Sequence, residues 1–159
     1  MSGKEKSYTQ QKLDTYIEEL DVQIKSMLPI KNPLTSEVTT ALNLTFEQLK
    51  IIPPTECAIL SYKLALYSTY LQLMGNRYRS IRRWAENNIS LIVAKEGGNY
   101  GDKWTKYEER KYCVIAGNEY AKALNDIWIK YGGLEEDMSE IANKVRYIAQ
   151  TIQEIRNVK

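Results

Sequence analysis

The chain has 159 residues, 43% of them hydrophobic, and no histidine. That length suits one domain, and the missing histidine excludes Ser-His-Asp and Cys-His catalysis, histidine-bearing zinc sites and the Glu-x-x-His pairs of carboxylate-bridged metal bundles. Net charge is only +2, yet residues 57–111 carry 10 Lys/Arg against 5 Asp/Glu, between flanks of 6 against 8 and 6 against 7, an asymmetry that favours an anionic partner or head-to-tail self-association.

In chain order, the polar start Met1 to Lys6 leads into no apolar segment, so no secretory signal is expected. Leu13, Ile17, Leu20, Ile24 and Met27 then alternate at steps of four and three, which predicts a helix from Tyr8 to Leu28 with Asp14, Glu18, Glu19 and Asp21 on its acidic side. From Pro29 to Pro54 the prolines and the Thr/Ser-rich run Thr35 to Thr40 read as a jointed connector. One short helix is signalled inside it: Thr45 and Gln48 form a capping box, and Leu44 with Leu49 a hydrophobic staple. Residues 1–54 thus form an N-terminal arm, and 55–159 the helical core.

A long helix is expected from an N-cap at Thr55 to about Lys95, with Cys57, Leu60, Leu64, Tyr67, Leu71, Met74, Tyr78, Ile81, Ala85, Asn88 and Ile92 on its apolar stripe. Forty helical residues span roughly 60 Å, longer than one small bundle, which implies packing on another chain or a bend at Gly75. The glycine-rich run Gly97 to Asp102 ends it and lacks the Lys-Ser or Lys-Thr of a phosphate loop. Thr105 with Glu108 signals a third helix, Lys103 to Tyr131, whose heptad positions include Tyr107, Val114, Ala121 and Trp128. Gly132-Gly133 reads as its end. A fourth helix follows, with Leu134, Met138, Ile141, Val145, Ile148, Ile152 and Ile155 in an uninterrupted 4-3-4-3-4-3 seam suited to oligomerisation.

No strand pattern occurs, so the expected fold is all-α: a helical hairpin or bundle with long helices and coiled-coil-like heptad seams, oligomeric. No uncharged apolar run reaches 18 residues, which speaks against a membrane span. Cys57 and Cys113 read as buried, reduced thiols of a cytoplasmic protein. No metal or cofactor is expected, since Glu108-Glu109 and Glu135-Glu136 point about 100° apart on a helix and have no His or Cys cluster beside them.

The candidate binding residues are basic and aromatic. Arg79, Arg82 and Arg83 share a helix face with Arg77 at its edge, and Lys95, Lys103, Lys106, Arg110 and Lys111 flank the glycine run together with Tyr100 and Trp104. Guanidinium groups take phosphate through paired donors, and aromatic faces accept any base. This pattern suits a single strand held without sequence preference. The competing reading is a solvated helix face, with Arg82 or Arg83 paired to Glu86. An antiparallel hairpin about the glycine run would set the two basic groups along one helix pair.

The order and spacing of Tyr67-Ser68-Thr69-Tyr70-Leu71, Ala94-Lys95 before the glycine run, Tyr107-Glu108 and Tyr147-Ile148-Ala149-Gln150-Thr151-Ile152-Gln153-Glu154-Ile155-Arg156 resemble the recombination mediators of T-even bacteriophages, the UvsY-like proteins. The resemblance covers about residues 67–159. It implies a non-enzymatic, ring-like homo-oligomer that binds single-stranded DNA and helps a RecA-like recombinase displace the single-strand-binding protein, in the host cytoplasm. It also implies self-association through the C-terminal helix. The family's Lys-Ala-Arg stretch before the glycine loop is matched here only by Ala94-Lys95, with Val93 in the first place, so the charge is expected at Arg77, Arg79, Arg82 and Arg83. The alternative expectation is an oligomeric helical virion-assembly or scaffold protein with no nucleic-acid role.

Overall fold

The computed structural model describes residues 7–27, 31–101 and 105–158, without the side chains of Ile24 and Met27. Among these residues the chain forms six α-helices and no strand: α1 (Tyr8–Met27), α2 (Ser36–Leu42), α3 (Phe46–Ile51), α4 (Pro54–Glu96), α5 (Tyr107–Gly117) and α6 (Glu119–Val158), with a 3-10 turn at Gly97–Asn99. Contacts divide the chain into two compact units. One comprises Met1–Leu28 and Tyr78–Gly133, the other Pro29–Arg77 and Leu134–Lys159, so the residues expected as a single arm, 1–54, are shared between both.

Four local differences from the sequence reading have physical causes. The Thr-rich connector contains α2: Thr35 caps it by accepting from the Val38 amide at 3.3 Å, and the hydroxyls of Thr39 and Thr40 bond back to the carbonyls of Thr35 and Ser36. Those bonds occupy side-chain donors that would otherwise compete with the backbone, while Val38 and Ala41 bury one face. Helix α4 starts at Pro54, one residue before the expected cap Thr55, because a proline's fixed φ and missing N–H suit the first helical position. It runs through Gly75 as a single helix.

The third difference is at α5, which starts at Tyr107 with Lys106 as an uncapped N-cap. Thr105 lies instead against Gly101, whose φ of +83° only glycine adopts easily and whose added Cβ would collide with the Thr105 side chain. The fourth concerns where the next helix breaks. The chain turns at Asn118 and continues helical through Gly132-Gly133, so the expected third and fourth helices are divided 15 residues earlier than read. Asn118 is extended, and its side-chain oxygen accepts from the Ala121 amide at 3.0 Å as a new N-cap. At Gly132-Gly133 the apolar spacing of Ile127, Tyr131, Leu134 and Met138 does not pause. Burial along that stripe outweighs the roughly 1 kcal/mol that each mid-helix glycine costs.

In the second unit, α2 and α3 pack with parts of α4 and α6. Cys57, Leu64 and Leu71 of α4 meet Ala142, Val145, Ala149 and Ile152 of α6, with Val38, Ala41 and Leu49 completing the buried cluster. The capping box of α3 forms as expected, Thr45 and Gln48 each bonding the other's backbone amide. Lys63 of α4 pairs with Glu37 of α2. Small residues recur every seven positions on α4, at Ser61, Ser68 and Gly75, and the two serines face the small residues Ala149 and Ala142 of α6. The two serine hydroxyls donate to the carbonyls of Ala149 and Ala142 at 2.9 Å, and a Cβ on Gly75 would meet Met138 Cβ at 3.4 Å. This line sets the close antiparallel approach of the helices within the unit.

The first unit is built from α1, the C-terminal half of α4, α5 and the N-terminal half of α6. Its buried hydrophobic residues are Leu13 and Ile17, then Ile81, Ala85, Ile89 and Val93, then Val114, and Ala121, Ala123, Leu124, Ile127 and Tyr131. On α4 the stripe departs from the expected Asn88 and Ile92 and proceeds in steps of four, as a straight helix drifts from a 3.5-residue repeat. Helix α1 docks here on its own chain, with Gln10 donating to Asp126 at 2.9 Å.

Candidate nucleic-acid interface

Arg79 and Arg83 are exposed on α4, one turn apart. Arg82 is half-buried, and its stem crosses α6 at Gly132, where an added Cβ would touch Arg82 Cδ at 3.4 Å. The glycine makes room for the methylenes, and the stem's burial orders the side chain. Arg77, by contrast, is buried at 5% exposure, in the second unit, with its Nη1 3.8 Å from Met74 Sδ. It is not part of the exposed basic face. Arg83 has no ion pair with Glu86, nor with any other described residue.

The second basic group is only partly brought together. Lys95 and Lys106 are exposed, whereas Arg110 is half-buried over Gly97, its Cδ 3.7 Å from where a Cβ would stand. Lys111 lies half-buried with its Nζ 5.4 Å above the Trp128 ring, a cation-π contact that holds its charge at the helix surface. Tyr100 packs inward, its hydroxyl 2.6 Å from the Cβ position of Gly117, so any side chain at 117 would displace it. Lys103 and Trp104 lie outside the described residues.

The path of α5 also differs from a simple hairpin. The Asn118 amide donates to both oxygens of Glu96 at 3.1 Å, Arg110 covers Gly97, and the Tyr107 hydroxyl bonds Ser90 Oγ at 3.2 Å. Helix α5 thus lies across the end of α4, and the return past α4 in this unit is made by the helix α6, where Tyr131 meets Tyr78 at a ring separation of 5.7 Å. Arg83 and Lys95 are twelve residues apart on α4, about 18 Å along the axis. That is roughly two Debye lengths at physiological salt, so the two groups are electrostatically separate.

Residues 1–28 and 78–133 carry 14 Lys/Arg against 12 Asp/Glu, while the other unit carries 8 of each; the chain's excess positive charge belongs to the unit that presents Arg79 and Arg83. The seam expected for oligomerisation is engaged within its own unit: Val145 and Ile152 are fully buried, Met138, Ile148 and Ile155 half-buried against the same core, Leu134 half-buried, and Ile141 41% exposed. The line Leu134, Ile141, Ile148 and Ile155 is therefore the outer flank of this seam. The thiols also differ from expectation, since Cys57 is buried but Cys113 is exposed.

No described helix is long and apolar enough to cross a membrane. Comparison with protein families, with curated proteins and with solved structures finds no match.

Sequence reasoning missed Tyr16, 51% exposed and 6.2 Å from Trp84 between ring centroids. Its position one residue before buried Ile17 on the α1 stripe was the available signal.

Proposed function

We propose that this chain binds single-stranded DNA without sequence preference and acts as a non-enzymatic recombination mediator, helping to load a RecA-like recombinase in place of single-strand-binding protein. The observation that carries the binding reading is the exposed pair Arg79 and Arg83, one turn apart, beside the ordered stem of Arg82. Forked guanidinium groups at that spacing take successive phosphates of a flexible strand, and they need no base identity to do so. The mediator role and the partner proteins rest on the resemblance across residues 67–159.

In this reading the protein works as a ring-like homo-oligomer. Subunits associate along the outer flank Leu134, Ile141, Ile148 and Ile155, the part of the C-terminal seam least consumed inside the unit. Repetition of a weak strand contact around the assembly multiplies its affinity. Titration with a single-stranded oligonucleotide at several salt concentrations tests it: binding should be firm at low salt and fall steeply as salt rises. Absence of binding at low salt contradicts it.

A second reading, an oligomeric virion-assembly or scaffold protein, is favoured by the exposed apolar residues Ile51, Ile59 and Tyr62 of the second unit. It requires assembly that is indifferent to oligonucleotide.

A further inference from the structure

Between α1 and α4, within the first unit, is a cleft of about 260 Å³ lined by Tyr16, Ile17, Leu20, Ser80, Ile81 and Trp84. Its floor is apolar, with Ile17 and Ile81 2% and 3% exposed. Its walls are two aromatic rings, Tyr16 and Trp84, with centroids 6.2 Å apart and planes inclined at 42°. Ser80 supplies a hydroxyl on the exposed rim. The volume is below the roughly 300–1,000 Å³ of pockets for drug-sized ligands and suits a single flat ring system.

The surroundings favour one kind of occupant. Ser80 and Trp84 are one turn apart on α4, and the exposed Arg79 and Arg83 are the residues immediately before them. Two parallel lines therefore run along this helix about 100° apart, one of guanidinium groups and one leading into the aromatic cleft. The cleft's line continues through Leu91, 60% exposed, to the exposed Lys95. A partner helix would need a long apolar groove, whereas this cleft is bounded by six residues. A nucleotide in a single strand offers what both lines accept, an anionic phosphate and an unstacked ring joined by a sugar.

Building on the reading of single-strand binding, we propose that this cleft is a base-stacking subsite: Tyr16 and Trp84 receive one unstacked base of a DNA strand whose phosphates lie on Arg79 and Arg83. The N-terminal helix α1, which the resemblance does not cover, thereby gains a role in the binding face.

The test compares two oligonucleotides of equal length and charge, one of thymidines and one abasic, titrated against the full-length chain at low salt. The unaltered protein should prefer the thymidine strand by about tenfold, the effect of stacking a base on an aromatic side chain. Tyr16→Leu and Trp84→Leu, which keep an apolar side chain but remove the ring, should each erase most of that preference, and Tyr16→Phe should retain it. Equal affinity of the unaltered protein for both strands, or a preference that survives both leucine variants, overturns the subsite while leaving phosphate binding in place. Binding of neither strand removes the single-strand reading itself, and the subsite with it. A preference lost in Tyr16→Phe as well as in Tyr16→Leu also counts against stacking, since the ring is still present.

Discussion

Ser68 on α4 donates its hydroxyl to the carbonyl of Ala142 on α6 over 2.9 Å, in a site where the serine is only 3% exposed. The contact recurs seven residues along, between Ser61 and Ala149, and Gly75 extends the line. A buried hydroxyl is tolerated because it is bonded, and its small size lets the two helix backbones approach.

Enlarging that position should therefore cost more than deleting its hydrogen bond. Ser68→Ala removes one hydrogen bond of about 1 kcal/mol, whereas Ser68→Leu forces overpacking worth roughly 1–3 kcal/mol or more. Urea unfolding of both variants checks the order. A leucine variant as stable as the alanine variant would mean the helices are not held at this distance.

Gly133 is helical, has no positive φ and has nothing within 4 Å of an added Cβ. Gly133→Ala should raise stability by about 0.5–1 kcal/mol, since alanine gains helix propensity and loses no contact. A helix-ending glycine in the left-handed region would give the opposite sign. Thermal unfolding of the single variant decides between a continuous α6 and a terminated helix.

The two cysteines should separate cleanly by reactivity. Cys113 is exposed and Cys57 is fully buried, so a thiol reagent should modify one cysteine promptly in the native protein and the second only on unfolding. Cys113→Ser should abolish the fast phase. Two slow thiols would contradict the exposed placement of α5's middle turn.

The all-α fold was legible because each long element carries a continuous apolar period, and the capping box at Thr45 was legible because its two members are three residues apart. What escaped was decided by tertiary burial. Gly132-Gly133 looks like a terminator until the stripe from Ile127 to Met138 is seen to continue through it, and Asn118 looks unremarkable until its side chain caps α6 and reaches Glu96. Of the candidate arginines, Arg79 and Arg83 lie exposed on α4, but Arg77 is chemically the same residue and only its buried surroundings set it apart. Tyr16 was hidden because its partner Trp84 is 68 residues away along the chain.

The most direct test of single-strand binding is the salt dependence of oligonucleotide affinity in the double variant Arg79→Glu/Arg83→Glu, with solution mass measured in parallel. Each phosphate contact to a single strand contributes about 0.7 to the slope of log K against log salt, so losing two should lower the slope by roughly 1.4 and the low-salt affinity by more than tenfold, while the oligomer persists. An unchanged affinity and slope, or an assembly that falls apart in the variant, would contradict the account.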